Sequence, residues 1–100
     1  FVFDSVDWVN QQSETNVDLI TNNHAIAYFT GKVDNYDKTQ RFLTEDQIIN
    51  AQPNDLFAIE MYYEMRLLVT GGQISNLLEF QTAFPSMKDQ RVTIYRRTNR

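Results

Sequence analysis

The chain has 100 residues and a formal net charge of −4 at pH 7, with 42% apolar and 22% charged residues. That is the size and composition of one globular domain, 1–100, and not of a disordered segment. The absence of cysteine and the single histidine, His24, exclude disulfides, thiolate nucleophiles, cysteine-ligated metals and any two-histidine chemistry within one chain. No apolar run approaches the ~20 residues that cross a bilayer, and a net acidic chain is a poor general binder of duplex DNA.

The first residue is Phe1 and not Met, as expected of a processed, trimmed or partial chain. The segment after it has two readings. Ser5 caps a helical turn carrying Val6 and Val9, or residues 1–3 form a short strand. Asn22-Asn23 then suits a tight turn, because asparagine tolerates the left-handed region. It pairs residues 16–21 with 24–33 in a first hairpin, setting Leu19 opposite Ile26. Val33-Asp34-Asn35-Tyr36-Asp37-Lys38 has a superficial calcium-loop look, but lacks the central glycine and distal glutamate of an EF-hand, and reads as a polar loop.

Thr44-Glu45-Asp46-Gln47 is a capping-box pattern with acids placed for the positive end of a helix. It predicts a short helix over 45–52, ended by Pro53. From Leu56 to Val69, apolar Phe57, Ile59, Met61, Tyr63, Met65, Leu67 and Val69 alternate with more polar neighbours, the period of a long strand. Gly71-Gly72 follows as a primed hairpin turn. About that turn Met65 faces Leu78 and Tyr63 faces Phe80, giving one long hairpin over 56–84. The competing reading is a helix over 74–81. After a break at 85–89, residues 91–97 read as a final strand with Val92 and Ile94 inward and Thr93 and Tyr95 outward.

The expected fold is therefore mainly β, with α+β at the margin: about five or six antiparallel strands in a barrel or strongly curved sheet, with one long hairpin and one short helix. A thirteen-residue strand spans roughly 43 Å at ~3.3 Å per residue, long beside the ~13 Å radius of gyration of a 100-residue domain. Either the strands coil hard, or the hairpin projects and needs another surface to cover it.

No residue set nominates a catalytic centre, a cofactor or a metal. Glu60, Glu64 and Glu79 share one face of the predicted hairpin, which reads as a solvent face partly neutralised by Arg66. His24 beside Asp18 or a tyrosine would be a general base, but an exposed turn histidine is the plainer reading. Charge is uneven: residues 1–31 sum to −4, residues 32–85 to −4 and residues 86–100 to +4.

These features point first to a non-enzymatic module that self-assembles or docks in a larger complex, through the hairpin and its oppositely charged termini. Its interface candidates are Tyr62, Arg66, Gly71, Gly72, Tyr95, Arg96 and Arg97, and its partners are proteins or copies of itself, with neither membrane nor nucleic acid expected. Long hairpins on small β cores occur in tail and connector proteins of phage particles, an analogy of architecture without a motif behind it. A second reading is a ligand-binding or enzymatic curved sheet of NTF2-like or cystatin-like type, using His24, Tyr63 and an acid. A third is an OB-like binder of single-stranded nucleic acid with outward tyrosines Tyr28, Tyr62 and Tyr95 beside Arg96 and Arg97.

Overall fold

Leu56, Phe57, Ala58 and Ile59 are all buried, so both faces of one strand are covered at once. The computed structural model describes residues 1–12, 17–32 and 40–99. In it, β1 (Leu19–Thr21), β2 (Leu56–Glu60), β3 (Leu78–Pro85) and β4 (Gln90–Arg97) form a mixed sheet in the order β1-β2-β4-β3. β1 runs parallel to β2, and β4 is antiparallel to both β2 and β3. Five helices lie among the described residues: α1 (Val2–Asn10), α2 (His24–Thr30), α3 (Glu45–Ile49), α4 (Tyr63–Thr70) and α5 (Gly72–Ser75).

The two faces of the sheet hold separate cores. On one, Val6 and Val9 of α1 and Ile26 of α2 pack on Leu19, Leu56, Ala58, Val92 and Ile94. On the other, Ile48 of α3, Met65 and Val69 of α4 and Ile74 of α5 pack on Phe57, Ile59 and Leu78. Val2, Val6 and Val9 are spaced i, i+4, i+7, which puts all three on one side of a helix. Of the two N-terminal readings, the helix is the one formed. Ser5 sits inside it rather than capping it, its hydroxyl donating to the Phe1 carbonyl one turn back at 2.7 Å.

The mainly-β expectation is wrong. The fold is α+β with four strands, and the sheet stays open, with β1 and β3 at its edges. The 56–84 hairpin does not exist: β2 stops at Glu60, and α4 and α5 occupy the stretch assigned to its far half and turn. The alternation was real but ambiguous, because Met65 and Val69 are spaced i, i+4 and satisfy a helix as well as a strand. Tyr63 and Leu67 decide it. They are 68% and 56% exposed, on the side of α4 away from buried Met65 and Val69. Good helix formers from Glu64 to Leu68 favour the same outcome. A ~43 Å strand would also exceed the longest dimension of the domain, 32 Å.

Gly71 and Gly72 thus join two helices and make no hairpin turn. Gly71 has φ −73° and ψ 136°, a conformation open to any residue. The helix proposed for 74–81 is also displaced, since α5 ends at Ser75 and Leu78 already begins β3.

The first hairpin is overturned as well. Asn23 is the N-cap of α2, its side-chain oxygen accepting from the Ile26 N–H at 2.9 Å. Gly31 ends that helix at φ 64°, where a glycine is favoured. β1 therefore leads into a helix and finds its partner 37 residues on in β2. The 33–38 loop lies outside the described residues.

Helix α3 starts where the capping box predicts. Thr44 Oγ1 accepts from the Gln47 N–H at 3.3 Å, and Gln47 Oε1 accepts from the Thr44 N–H at 2.8 Å. It ends at Ile49, three residues before the expected boundary. β4 covers the expected final strand with Val92 and Ile94 buried, but Thr93 is fully buried too. A strand covered on both faces has no outward side, so alternation along it cannot mark solvent.

Candidate interaction surface

The corner where β2 ends and α4 begins gathers most of the exposed chemistry. Asn22, buried at the end of β1, bonds Glu60 on both sides: its Oδ1 accepts from the Glu60 N–H at 2.6 Å, and its Nδ2 donates to the Glu60 carbonyl at 3.0 Å. The same Nδ2 reaches the Arg41 carbonyl at 2.9 Å, which ties the loop before α3 to this corner. Asn23 Nδ2 donates to Glu60 Oε1 at 2.9 Å.

On this frame the Arg41 guanidinium lies 4.1 Å from the centre of the Tyr62 ring and 5.4 Å from that of Phe42. The two rings meet edge to face at 6.2 Å. Cation–π stacking of this kind, together with a side-chain hydrogen bond between Arg41 and Tyr62, fixes the arginine on the ring. The Tyr62 phenol is raised above its ordinary value of 10.0 by its hydrogen bond with Glu60, by desolvation and by the Glu60 charge, while Arg41 pulls it down.

Beside this stack is a cleft of about 330 Å³, lined among others by Phe1, Met61, Tyr62, Arg66 and Arg91. Arg66 donates to the Gln90 carbonyl at 3.4 Å, and the Arg91 guanidinium lies 5.9 Å from the Phe1 ring centre. The cleft has acids too, Glu60 and Asp89. The Glu60 carboxylate is engaged by Asn23 and Tyr62, and Asp89 sits in the exposed β3–β4 turn.

Phe1 is also the N-cap of α1, whose outer face continues the surface. Phe3 is 65% exposed and its ring lies 5.3 Å from Phe29 of α2; Tyr28 meets Phe29 edge to face at 5.0 Å. Asp4 and Asp7, both exposed, stand beside Phe3 on the same helix. An aromatic patch flanked by acids therefore adjoins an arginine-lined cleft.

Of the residues expected at an interface, the structure brings only Tyr62 and Arg66 to this corner. Gly71 and Gly72 lie at the α4–α5 junction, beside Glu45 and Ile49 of α3. Tyr95 is half-buried against Phe80, ring centres 6.3 Å apart, and burial raises its phenol above 10.0 against a small lowering by Arg66. Arg96 is half-buried, with Nη1 donating to the Asn54 carbonyl at 3.2 Å.

Arg97 is a structural residue of the core. Its guanidinium donates to the carbonyls of Ile48 and Ile49 at the end of α3, at 2.8 and 2.9 Å, and to that of Thr98 at 2.8 Å. The basic C-terminal face inferred from charge counting therefore loses this member to the interior. The predicted acidic face is not assembled either: Glu60 ends β2, Glu64 opens α4, and Glu79 lies opposite Arg96 in β3. No group of three or more metal-ligating side chains forms among the described residues. His24 is the exposed first residue of α2.

Sequence reasoning missed Arg41, Phe42, Arg91 and the Phe3–Phe29 pair, since all depend on contacts between distant segments. The one local signal was the i, i+4 spacing of Tyr62 and Arg66, which points both to one side of a helix once α4 is accepted. No protein-family model matches the chain, and neither a curated protein nor a solved structure was found that resembles it.

Proposed function

We propose that this domain is a non-enzymatic interaction module that associates with copies of itself through the α1–α2 side of the sheet. The observation behind it is the preorganised aromatic patch of Phe3, Tyr28 and Phe29, three large rings held against one another yet left about half or more in solvent. Aromatic side chains that are already ordered lose little rotamer freedom when covered, which is why interface cores favour them. The hairpin that first suggested assembly plays no part in this reading. The sheet does not close into a barrel, so the OB-like alternative loses the architecture that prompted it.

The test is absolute mass by light scattering across a dilution series, for the unmodified chain and for Phe3→Ser/Phe29→Ser. The expected result is a concentration-dependent rise above 11.8 kDa that the double variant abolishes while its circular dichroism stays unchanged. An unmodified chain that stays at 11.8 kDa at every concentration refutes it.

A further inference from the structure

We infer that the self-association proposed above is a two-fold pairing in which the acidic face of α1 on each copy enters the arginine-lined cleft of the other. The inference rests on that reading and names its partner surface. Three observations carry it. The first is charge complementarity: Asp4 and Asp7 stand exposed on α1, while Arg66 and Arg91 line the cleft beside Asp89 and a Glu60 whose carboxylate Asn23 and Tyr62 already engage; Asp4, Asp7, Arg66 and Arg91 form no ion pair among the described residues.

The second is adjacency. Phe1 both caps the N-terminus of α1 and lines the cleft beside Arg91. At ~1.5 Å of rise per residue, Asp4 and Asp7 follow roughly 4.5 and 9 Å along the helix. An acidic and a basic patch side by side make a self-complementary surface, so a two-fold axis between them lets each contact form twice and the assembly close. The same patches on opposite ends of the molecule would instead build an open chain.

The third is the apolar content of both halves. Phe3 accompanies the acids on α1, and Phe1, Met61 and Tyr62 accompany the arginines in the cleft. A charged rim around aromatic anchors is the usual anatomy of a specific interface.

A charge exchange tests the pairing. In one variant Arg66→Glu/Arg91→Glu makes the cleft acidic; in the other Asp4→Lys/Asp7→Lys makes the helix basic. Each alone sets like charges together, and its self-dissociation constant should rise more than about tenfold. Mixed, they restore both contacts, one in the native sense and one reversed, and light scattering should show a 1:1 dimer of twice the single-chain mass.

A wild-type chain that is monomeric throughout overturns the self-association reading and this pairing with it. A wild-type dimer whose charge variants still self-pair overturns the pairing alone. So does a mixture of two folded, monomeric variants that stays monomeric. Should a double variant fail to fold by circular dichroism, Arg66→Glu against Asp7→Lys gives the same reading from single changes.

Discussion

Replacing Arg97 with methionine should destabilise the fold severely. The side chain is 8% exposed and donates three hydrogen bonds of 2.8–2.9 Å, two of them to the last carbonyls of α3. The positive guanidinium lies at the negative end of the helix. Methionine keeps the apolar stem but removes the charged donor from all three carbonyls. Ile48 is wholly buried and its carbonyl keeps only the longer 3.3 Å bond from the Ala51 N–H, so losing the shorter charged bond costs about 1–3 kcal/mol, whereas Ile49 is 43% exposed and its carbonyl has easier access to water. Lost charged hydrogen bonds, less the relief of desolvating a cation, bring the total to about 2–4 kcal/mol.

Against a typical stability of ~5–15 kcal/mol this is a large fraction, and it corresponds to a fall in Tm of roughly 10–25 °C for a domain of this size. Urea melts followed by circular dichroism measure it, with an unchanged m-value showing that the unfolded state is not the cause. Arg97→Lys should fall between, since one ammonium cannot serve three carbonyls with a fork's geometry. A change below about 0.5 kcal/mol, the usual surface value, would show that Arg97 is not the clamp described and return it to the surface.

Three further outcomes follow from particular positions. Gly72→Ala should be neutral or add up to ~1 kcal/mol, because a Cβ there meets nothing within 4 Å and the backbone needs no left-handed angle; a loss above ~1 kcal/mol in a urea melt would instead support a primed turn. Thr93→Val should leave stability unchanged or raise it by about 1 kcal/mol, since the fully buried Thr93 Oγ1 has no hydrogen-bond partner; a clear fall in Tm would refute that. The neutral Tyr95 phenol is favoured in the folded state, so its contribution is complete below pH 10.0 and is lost as pH rises beyond it. Tyr95→Phe should therefore flatten the alkaline fall of stability, and an unaltered slope above pH 10.0 would contradict the burial argument.

The local capping signal survived folding, whereas the turn signals at Asn22-Asn23 and Gly71-Gly72 did not. The capping box at Thr44 and Gln47 needs only four consecutive residues, and it forms with both bonds in place. Val92 and Ile94 are buried as their strand pattern requires. The long hairpin fails because period two and period 3.6 share the i, i+4 pair Met65 and Val69, and the residues between them are good helix formers.

Asn23 was legible as a helix cap. An asparagine before His24-Ala25-Ile26-Ala27, with Gly31 closing the segment, brackets a seven-residue helix as well as it marks a turn. Parallel pairing of β1 with β2 had no comparable signal, because the strands lie 37 residues apart and their register depends on helices packed on both faces. The same holds for the surface: Arg41 meets Tyr62 only after the fold has brought residues 41 and 62 together.

Amide hydrogen exchange on the unmodified chain, dilute and concentrated, tests most directly whether copies meet through this surface. The account predicts that raising concentration slows exchange in α1, in α2 and around residues 60–66 and 90–91, and leaves the β3 edge as it was. Exchange that does not depend on concentration, or protection that falls on β3 instead, would contradict it.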